Sequence, residues 1–126
     1  MIVGSGIDII EISRVASAIE RNGERFLARV YTQIERDYCE KSKQSSTHYA
    51  GRFAAKEAVL KALGTGLSGA IRWVDVEIVP TKDGPPRLNL KAAALERFSE
   101  IGAVRSHITI SHSRDYAVAM ALFESI

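Results

Sequence analysis

At 126 residues, with 46% apolar residues, 25% charged residues and a net charge of +2, the chain has the makeup of one ordinary soluble domain. That charge is too small for a nucleic-acid binder, and no basic stretch interleaved with aromatic residues accompanies it. A single cysteine, Cys39, excludes an internal disulfide framework and a Cys-rich zinc site and fits a reducing cytoplasm, while no apolar run reaches the length of a membrane span.

The first ten residues, MIVGSGIDII, are apolar but short, lack a basic flank and contain Asp8, so they read as a strand and not as a signal peptide. Gly4 and Gly6 permit close approach of another element. Asp8, near the end of that strand, is either a turn or cap residue or a functional carboxylate. Ile12, Val15, Ala16 and Ile19 then form a helical stripe ended by Gly23, with Arg14 and Arg21 on another face, where charges ordinarily do no more than solvate a helix. Residues 25–30, with Arg25 and Arg29, make a further helical turn or two. Thr32 and Glu35 have capping-box spacing for a helix through about residue 41. SKQSST, residues 42–47, reads as a surface loop that carries Lys43.

The next stretch organises the rest. Thr47 can accept from first-turn amides, alanines favour helix, and Gly64 suits a left-handed end, which together predict a helix over residues 47–63. Tyr49, Phe53, Lys56, Leu60 and Leu63 share one face of it, so a lysine lies in the apolar stripe. Glu57 sits at the edge of that stripe and Lys61 follows four residues later. The ordinary reading is a snorkelling lysine beside a surface ion pair worth about 0.3–0.5 kcal/mol. After the helix, GTGLSG offers three glycines in six residues, either a plain connector or a turn whose amides face an anion; it matches neither a P-loop nor a dinucleotide fingerprint.

Residues 73–79 alternate, and Lys82, Asp83, Gly84, Pro85 and Pro86 turn the chain into a second strand around residues 87–90, a hairpin. Residues 92–101 predict a helix closed by Gly102 that covers one face of the sheet. Residues 104–111 and 117–123 read as two strands joined by a turn that begins at His112, which places this histidine just past a strand end, where it can point into a cleft. His48 and His107 have no comparable placement and read as structural or exposed. The order is that of a mixed α+β domain with a largely antiparallel sheet packed by helices. AVAMALF, residues 117–123, is apolar at nearly every position and is expected to be buried on both faces, under helices or between subunits.

Asp8 and Glu57, 49 positions apart on rigid elements, form a pair of hard oxygen ligands better suited to Mg²⁺ than to zinc, which implies phosphates. Arg52, Lys43, Lys56, Lys61 and His112 add the positive charge that stabilises a transferring phosphoryl group. Gly6-Ile7-Asp8, FAAKEAVLK at residues 53–61, Gly64-Thr65-Gly66 and TISHS at residues 109–113 occur in the order and spacing of the holo-acyl-carrier-protein synthase family, small phosphopantetheinyl transferases of fatty-acid synthesis that this chain resembles over its whole length. The resemblance implies one small transferase domain over residues 1–126, acting in the cytoplasm. Its reaction is Mg²⁺-dependent transfer of 4′-phosphopantetheine from coenzyme A to a serine of apo-acyl carrier protein, with release of adenosine 3′,5′-bisphosphate.

On the same basis, Asp8 and Glu57 match the metal-binding positions, with Glu57 accepting the serine proton and Lys61 meeting the departing phosphate. Arg52, His112, Lys43 and the turn of Gly64, Thr65 and Gly66 are the candidates for holding coenzyme A, with Arg52 and His112 on its 3′-phosphate. From its place deep in the apolar stripe, and not from the resemblance, Lys56 is expected to position Glu57 and not to touch substrate. The resemblance also implies a homotrimer with active sites shared between subunits, and an acidic carrier protein docked on Arg14, Arg21, Arg25 and Arg29. Two other readings stand beside this one: a module that binds a nucleotide or coenzyme A without transfer, and an oligomerisation domain whose motif helix serves only as core. The first leaves Asp8, Glu57 and Lys61 without a task, and the second makes Lys56 a costly core residue.

Overall fold

The computed structural model describes residues 1–67 and 69–126; Ser68 of the GTGLSG turn lies outside the described residues. Strand β1 (Ile2–Glu11) leads into helix α1 (Ile12–Val30), followed by α2 (Gln33–Glu40) and α3 (Ser45–Leu63). A short 3-10 turn (Trp73–Asp75) precedes the hairpin β2 (Val76–Val79) and β3 (Arg87–Leu90), then α4 (Ala92–Glu100), β4 (Arg105–His112) and β5 (Tyr116–Glu124). The strands form two antiparallel sheets, one ordered β1-β5-β4 and the other the β2-β3 hairpin. The expected α+β class holds, with the hairpin set apart from the main sheet.

Helix α3 lies on the inner face of the main sheet and is buried nearly all round, not along one stripe, because Ala54, Ala55, Ala58 and Ala62 are covered as well as Leu60 and Leu63. Small residues on both partners allow this. A Cβ at Gly6 would overlap the Ala58 carbonyl oxygen and come within 2.9 Å of the Ala62 nitrogen, and one at Gly4 would overlap the Ala62 carbonyl oxygen. The two glycines therefore fix how closely β1 rides on α3. Across the same face β5 contributes Ala117, Ala119 and Ala121.

Several local expectations change. Helix α3 begins at Ser45, two residues before Thr47, and its N-cap, Gln44, makes no side-chain cap bond, which shortens the predicted loop to residues 41–44. Gly23 has φ 48°, breaking the helical backbone between two helical pieces of α1 as its position predicted. Trp73–Asp75 is a 3-10 turn and not strand, because the Asp75 carboxylate accepts from the Arg72 backbone amide at 3.0 Å and winds the chain there.

β5 is covered on one face only. Ala117, Ala119, Ala121 and Phe123 point inward, whereas Tyr116, Val118, Met120 and Leu122 form an outer row. Met120 pairs with Ile7 and Val118 with Ile9, and Ile7 and Ile9 are 62% and 64% exposed. The outer sheet face is thus an apolar patch that no element of the same chain covers among the described residues.

Candidate active site

Three side chains meet where β1 crosses α3. Asp8 points to the inner side of β1, the side that carries Gly4 and Gly6, and so faces the helix. Lys61 on α3 donates to the Ile7 carbonyl at 2.8 Å and to the Asp8 carboxylate at 3.2 Å. Lys61 therefore bonds across to the strand instead of pairing along its own helix with Glu57. Glu57, one turn earlier, is half-buried, and its carboxyl is held above the usual range, first by burial and then by the nearby Asp8 charge, with Lys61 opposing both. Two acidic groups thus share a corner with a single lysine.

Lys56 does not snorkel. It is fully buried, and its ammonium donates to Glu35 at 2.8 Å and to the carbonyls of Val76 and Trp73 at 2.6 and 3.1 Å. Glu35 in turn accepts from the amides of Thr32 and Ile78 at 2.8 and 2.7 Å. Burial pulls the Lys56 pKa down and Glu35 pulls it back up. The sequence placed Glu35 in a capping box, which forms, but did not show that the same carboxylate anchors Lys56. Since Glu57 adjoins Lys56, this network fixes the turn of α3 that carries it.

Arg52 belongs to a different side of α3. At about 100° per residue it projects about 140° round the helix from Glu57. Only 6% of it is exposed; its guanidinium carbon lies 4.0 Å from the centre of the Tyr38 ring, and its Nε has no hydrogen-bond partner among the described residues. It lines a cavity of about 390 Å³ with Tyr38, His48, Thr81, Thr109 and His112. Arg52 and His112 are therefore brought together as expected. His48, read from sequence as incidental, joins them; its signal was the four-residue step to Arg52 on one helix. Burial, then Arg52 and His112, hold the His48 imidazole below the usual histidine range.

The remaining candidates divide. Lys43 is exposed in the turn before α3 and is not part of that cavity's lining. The amides of Gly64 and Gly66 donate to the Leu60 carbonyl, and that of Gly64 also to Lys61, so they cap the helix instead of facing an anion. Thr65, between them, directs its hydroxyl to the Gly66 carbonyl at 3.3 Å. Arg14 and Arg21 are exposed and line a second cavity of about 580 Å³ with Ile10, Phe26 and Phe53. Phe53 lies one helical turn before Glu57, so this groove runs toward the acidic corner. Arg25 is exposed outside it, and Arg29 lines a separate pocket with Arg72 and Trp73. Cys39 is fully buried and its thiol is pushed up to about 12, chiefly by burial, which keeps it an unreactive core residue.

Residues 4–121 match the profile of the 4′-phosphopantetheinyl transferase superfamily. A holo-[acyl-carrier-protein] synthase of Clostridium tetani is 48% identical over 124 residues, 98% of this chain and 97% of the relative. The crystal structure of a Bacillus anthracis holo-(acyl-carrier-protein) synthase in complex with CoA (3′,5′-ADP) superposes with a TM-score of 0.82 at 36% identity, covering 100% of this chain and 99% of that one. A Helicobacter pylori holo-[acyl-carrier-protein] synthase in complex with coenzyme A gives 0.83 at 30% identity, covering 95% and 99%.

Proposed function

The chain belongs to the holo-[acyl-carrier-protein] synthases of the 4′-phosphopantetheinyl transferase superfamily, and from that premise we propose that it transfers 4′-phosphopantetheine from coenzyme A to a serine of apo-acyl carrier protein, in support of fatty-acid synthesis. The observation that carries this reading is the corner of Asp8, Glu57 and Lys61, held by the close approach of β1 to α3. Residues 1–126 act as one transferase domain in the cytoplasm.

Asp8 and Glu57 suit Mg²⁺. Two carboxylates at one corner, with Asp8 raising the cost of ionising Glu57 and one half-exposed lysine as counter-charge, leave a local excess of negative charge of hard-oxygen character. Asp8 and Glu57 would hold the ion by two oxygen ligands, leaving positions for the water and substrate oxygens that it prefers. When bound, the ion draws charge from the pyrophosphate of coenzyme A.

The serine oxygen attacks the phosphorus attached to pantetheine; the new P–O bond forms as the pyrophosphate bond breaks, and adenosine 3′,5′-bisphosphate departs. Glu57 takes the serine proton, directly or through water. Lys61 exchanges Asp8 for the departing phosphate, which it neutralises or protonates. Arg52 and His112 hold the 3′-phosphate, the guanidinium by its planar donor geometry. Lys56 acts on the reaction through Glu57, and the groove of Arg14 and Arg21 receives the acidic carrier protein. Arg25 and Arg29 lie outside that groove and serve as flanking positive charge.

Chromatography of reaction mixtures tests this directly. Adenosine 3′,5′-bisphosphate should appear from coenzyme A only when apo-carrier protein and Mg²⁺ are both present and should vanish with a chelator; release without carrier protein would overturn the proposed acceptor. For docking, Arg14→Glu is expected to raise the KM for carrier protein about tenfold, equivalent to about 1.4 kcal/mol, and to leave that for coenzyme A unchanged. Equal changes in both constants would count against the groove.

A homotrimer accounts for the uncovered sheet face and for the separation of the two half-sites, since Glu57 and Arg52 project from different sides of α3. The corner of one subunit would then adjoin the Arg52 cavity of its neighbour. Met120→Glu puts a charge in the middle of the outer apolar row and is expected to yield monomers by sedimentation velocity; a variant that stays trimeric would place the interface elsewhere.

A further inference from the structure

We propose that His48 is a specificity-determining residue of the Arg52 cavity: it contacts the 3′-phosphate of coenzyme A as a cation, taking up a proton as the ligand arrives, and so sets the preference for coenzyme A over its dephospho form. This rests on reading that cavity as the 3′-phosphate site.

The geometry assembles three basic groups around one opening. His48 and Arg52 are four residues apart on α3 and so lie on one face. Tyr38, from α2, holds both: the guanidinium stacks over its ring at 4.0 Å, and the imidazole meets it edge-on, with centroids 5.4 Å apart and planes at 87°. His112 enters from the end of β4, and Thr81 and Thr109 add hydroxyls. The titratable or charged groups facing His48 are Tyr38 on α2, Arg52 on α3 and His112 on β4. The β2–β3 loop contributes prolines, Gly84 and Thr81 to the lining but no charge, and among the described residues no carboxylate lines the cavity. His48 therefore has no protein anion there to stabilise its charged form.

Burial first, then the neighbouring Arg52 and His112, disfavour the charged form of the His48 imidazole. A phosphate dianion reverses the electrostatic part of that balance, because it faces the ring with opposite charge and offsets the Arg52 guanidinium. Binding then becomes linked to protonation, tighter as pH falls, by up to about tenfold per pH unit between the free and bound pKa values. The ribose 3′-phosphate is the group concerned, so a ligand lacking it loses the linkage.

The test is calorimetric titration of coenzyme A and dephospho-coenzyme A into the wild-type protein and the His48→Phe and His48→Gln variants. Measurements run from pH 6.5 to 8.5, above the second pKa of a phosphate near 6, in buffers of different ionisation heat. The wild-type preference for coenzyme A should grow about threefold to tenfold toward pH 6.5, with proton uptake on binding. Both variants should lose most of that growth and of the proton uptake. Gln keeps hydrogen bonding without a titrating charge, so loss in Gln as well as Phe separates charge from shape. Variants that fold and keep the full wild-type slope would overturn the role of His48. A wild-type protein that binds both ligands equally at every pH would instead remove the 3′-phosphate from this cavity, and the proposal with it.

Discussion

Glu57→Gln is expected to reduce turnover by about 10²–10⁴ without unfolding the protein. The substitution keeps the shape of the side chain and deletes its charge, so it removes both a proton acceptor and one of two oxygen ligands for Mg²⁺. Its effect on stability should run the other way. Burial and the Asp8 charge raise the folded-state pKa of Glu57. A raised carboxyl pKa means that the folded protein holds the proton more tightly than the unfolded chain does, so stability falls as pH rises through that range. At neutral pH the ionised carboxylate is therefore an unfavourable feature, and Gln should leave the melting temperature unchanged or slightly higher. Lys61→Ala should share the loss of turnover at saturating substrates while Asp8 loses its one ion-pair partner. A Glu57→Gln enzyme that is as active as the wild type, or one inactive only because it is unfolded, would deny this corner its chemical role.

The largest stability effect is expected at the buried pair. Glu35→Ala leaves the Lys56 ammonium fully buried against two carbonyls without its ion-pair partner, with only the more distant Glu77 as counter-charge, and Lys56→Met leaves the Glu35 carboxylate buried against two amides. Removing one partner of such a pair typically costs about 3–5 kcal/mol, since the remaining charge is uncompensated. For a chain of this length that corresponds to on the order of 10–20 °C in melting temperature. The double variant, Glu35→Leu with Lys56→Met, should be more stable than the sum of its single losses predicts, because no charge is stranded. Turnover supplies the second readout. If Lys56 positions Glu57, the double variant should recover folding while its kcat stays low, whereas a purely structural pair would let activity return with stability.

The acidic corner was legible in the sequence because its parts are local or carried by short motifs. Glu57 and Lys61 are fixed by four-residue spacing on a helix whose Gly64 end is written in the chain, and Asp8 stands out as a carboxylate in an apolar strand. The Lys56 network was not legible. Glu35 already had a local explanation as the third residue of a capping box, and its other partners, Lys56 and Ile78, come from elements brought together only by the fold. Likewise, the glycine turn looked like a set of free donors, but its amides answer the carbonyls that any helix end leaves open.

The last strand carries a subtler lesson. AVAMALF is apolar throughout, so a reading by polarity predicts two covered faces. The alternation that matters is one of face: Ala117, Ala119 and Ala121 lie under α3 and Phe123 also points inward, whereas Val118, Met120 and Leu122 point outward. Steric fit governs Gly4 and Gly6 on β1 and Ala58 and Ala62 on α3. Small residues set the separation of sheet and helix, and that separation places Asp8 opposite Glu57 and Lys61.

The most direct test of the transfer reaction is the intact mass of an apo-acyl carrier protein after incubation with this protein, coenzyme A and Mg²⁺, beside a carrier whose acceptor serine is replaced by alanine. The account predicts the gain of one phosphopantetheinyl group on the first carrier and none on the second. No gain on a competent carrier, with coenzyme A still bound to the protein, would contradict it and leave a binding module in place of a transferase.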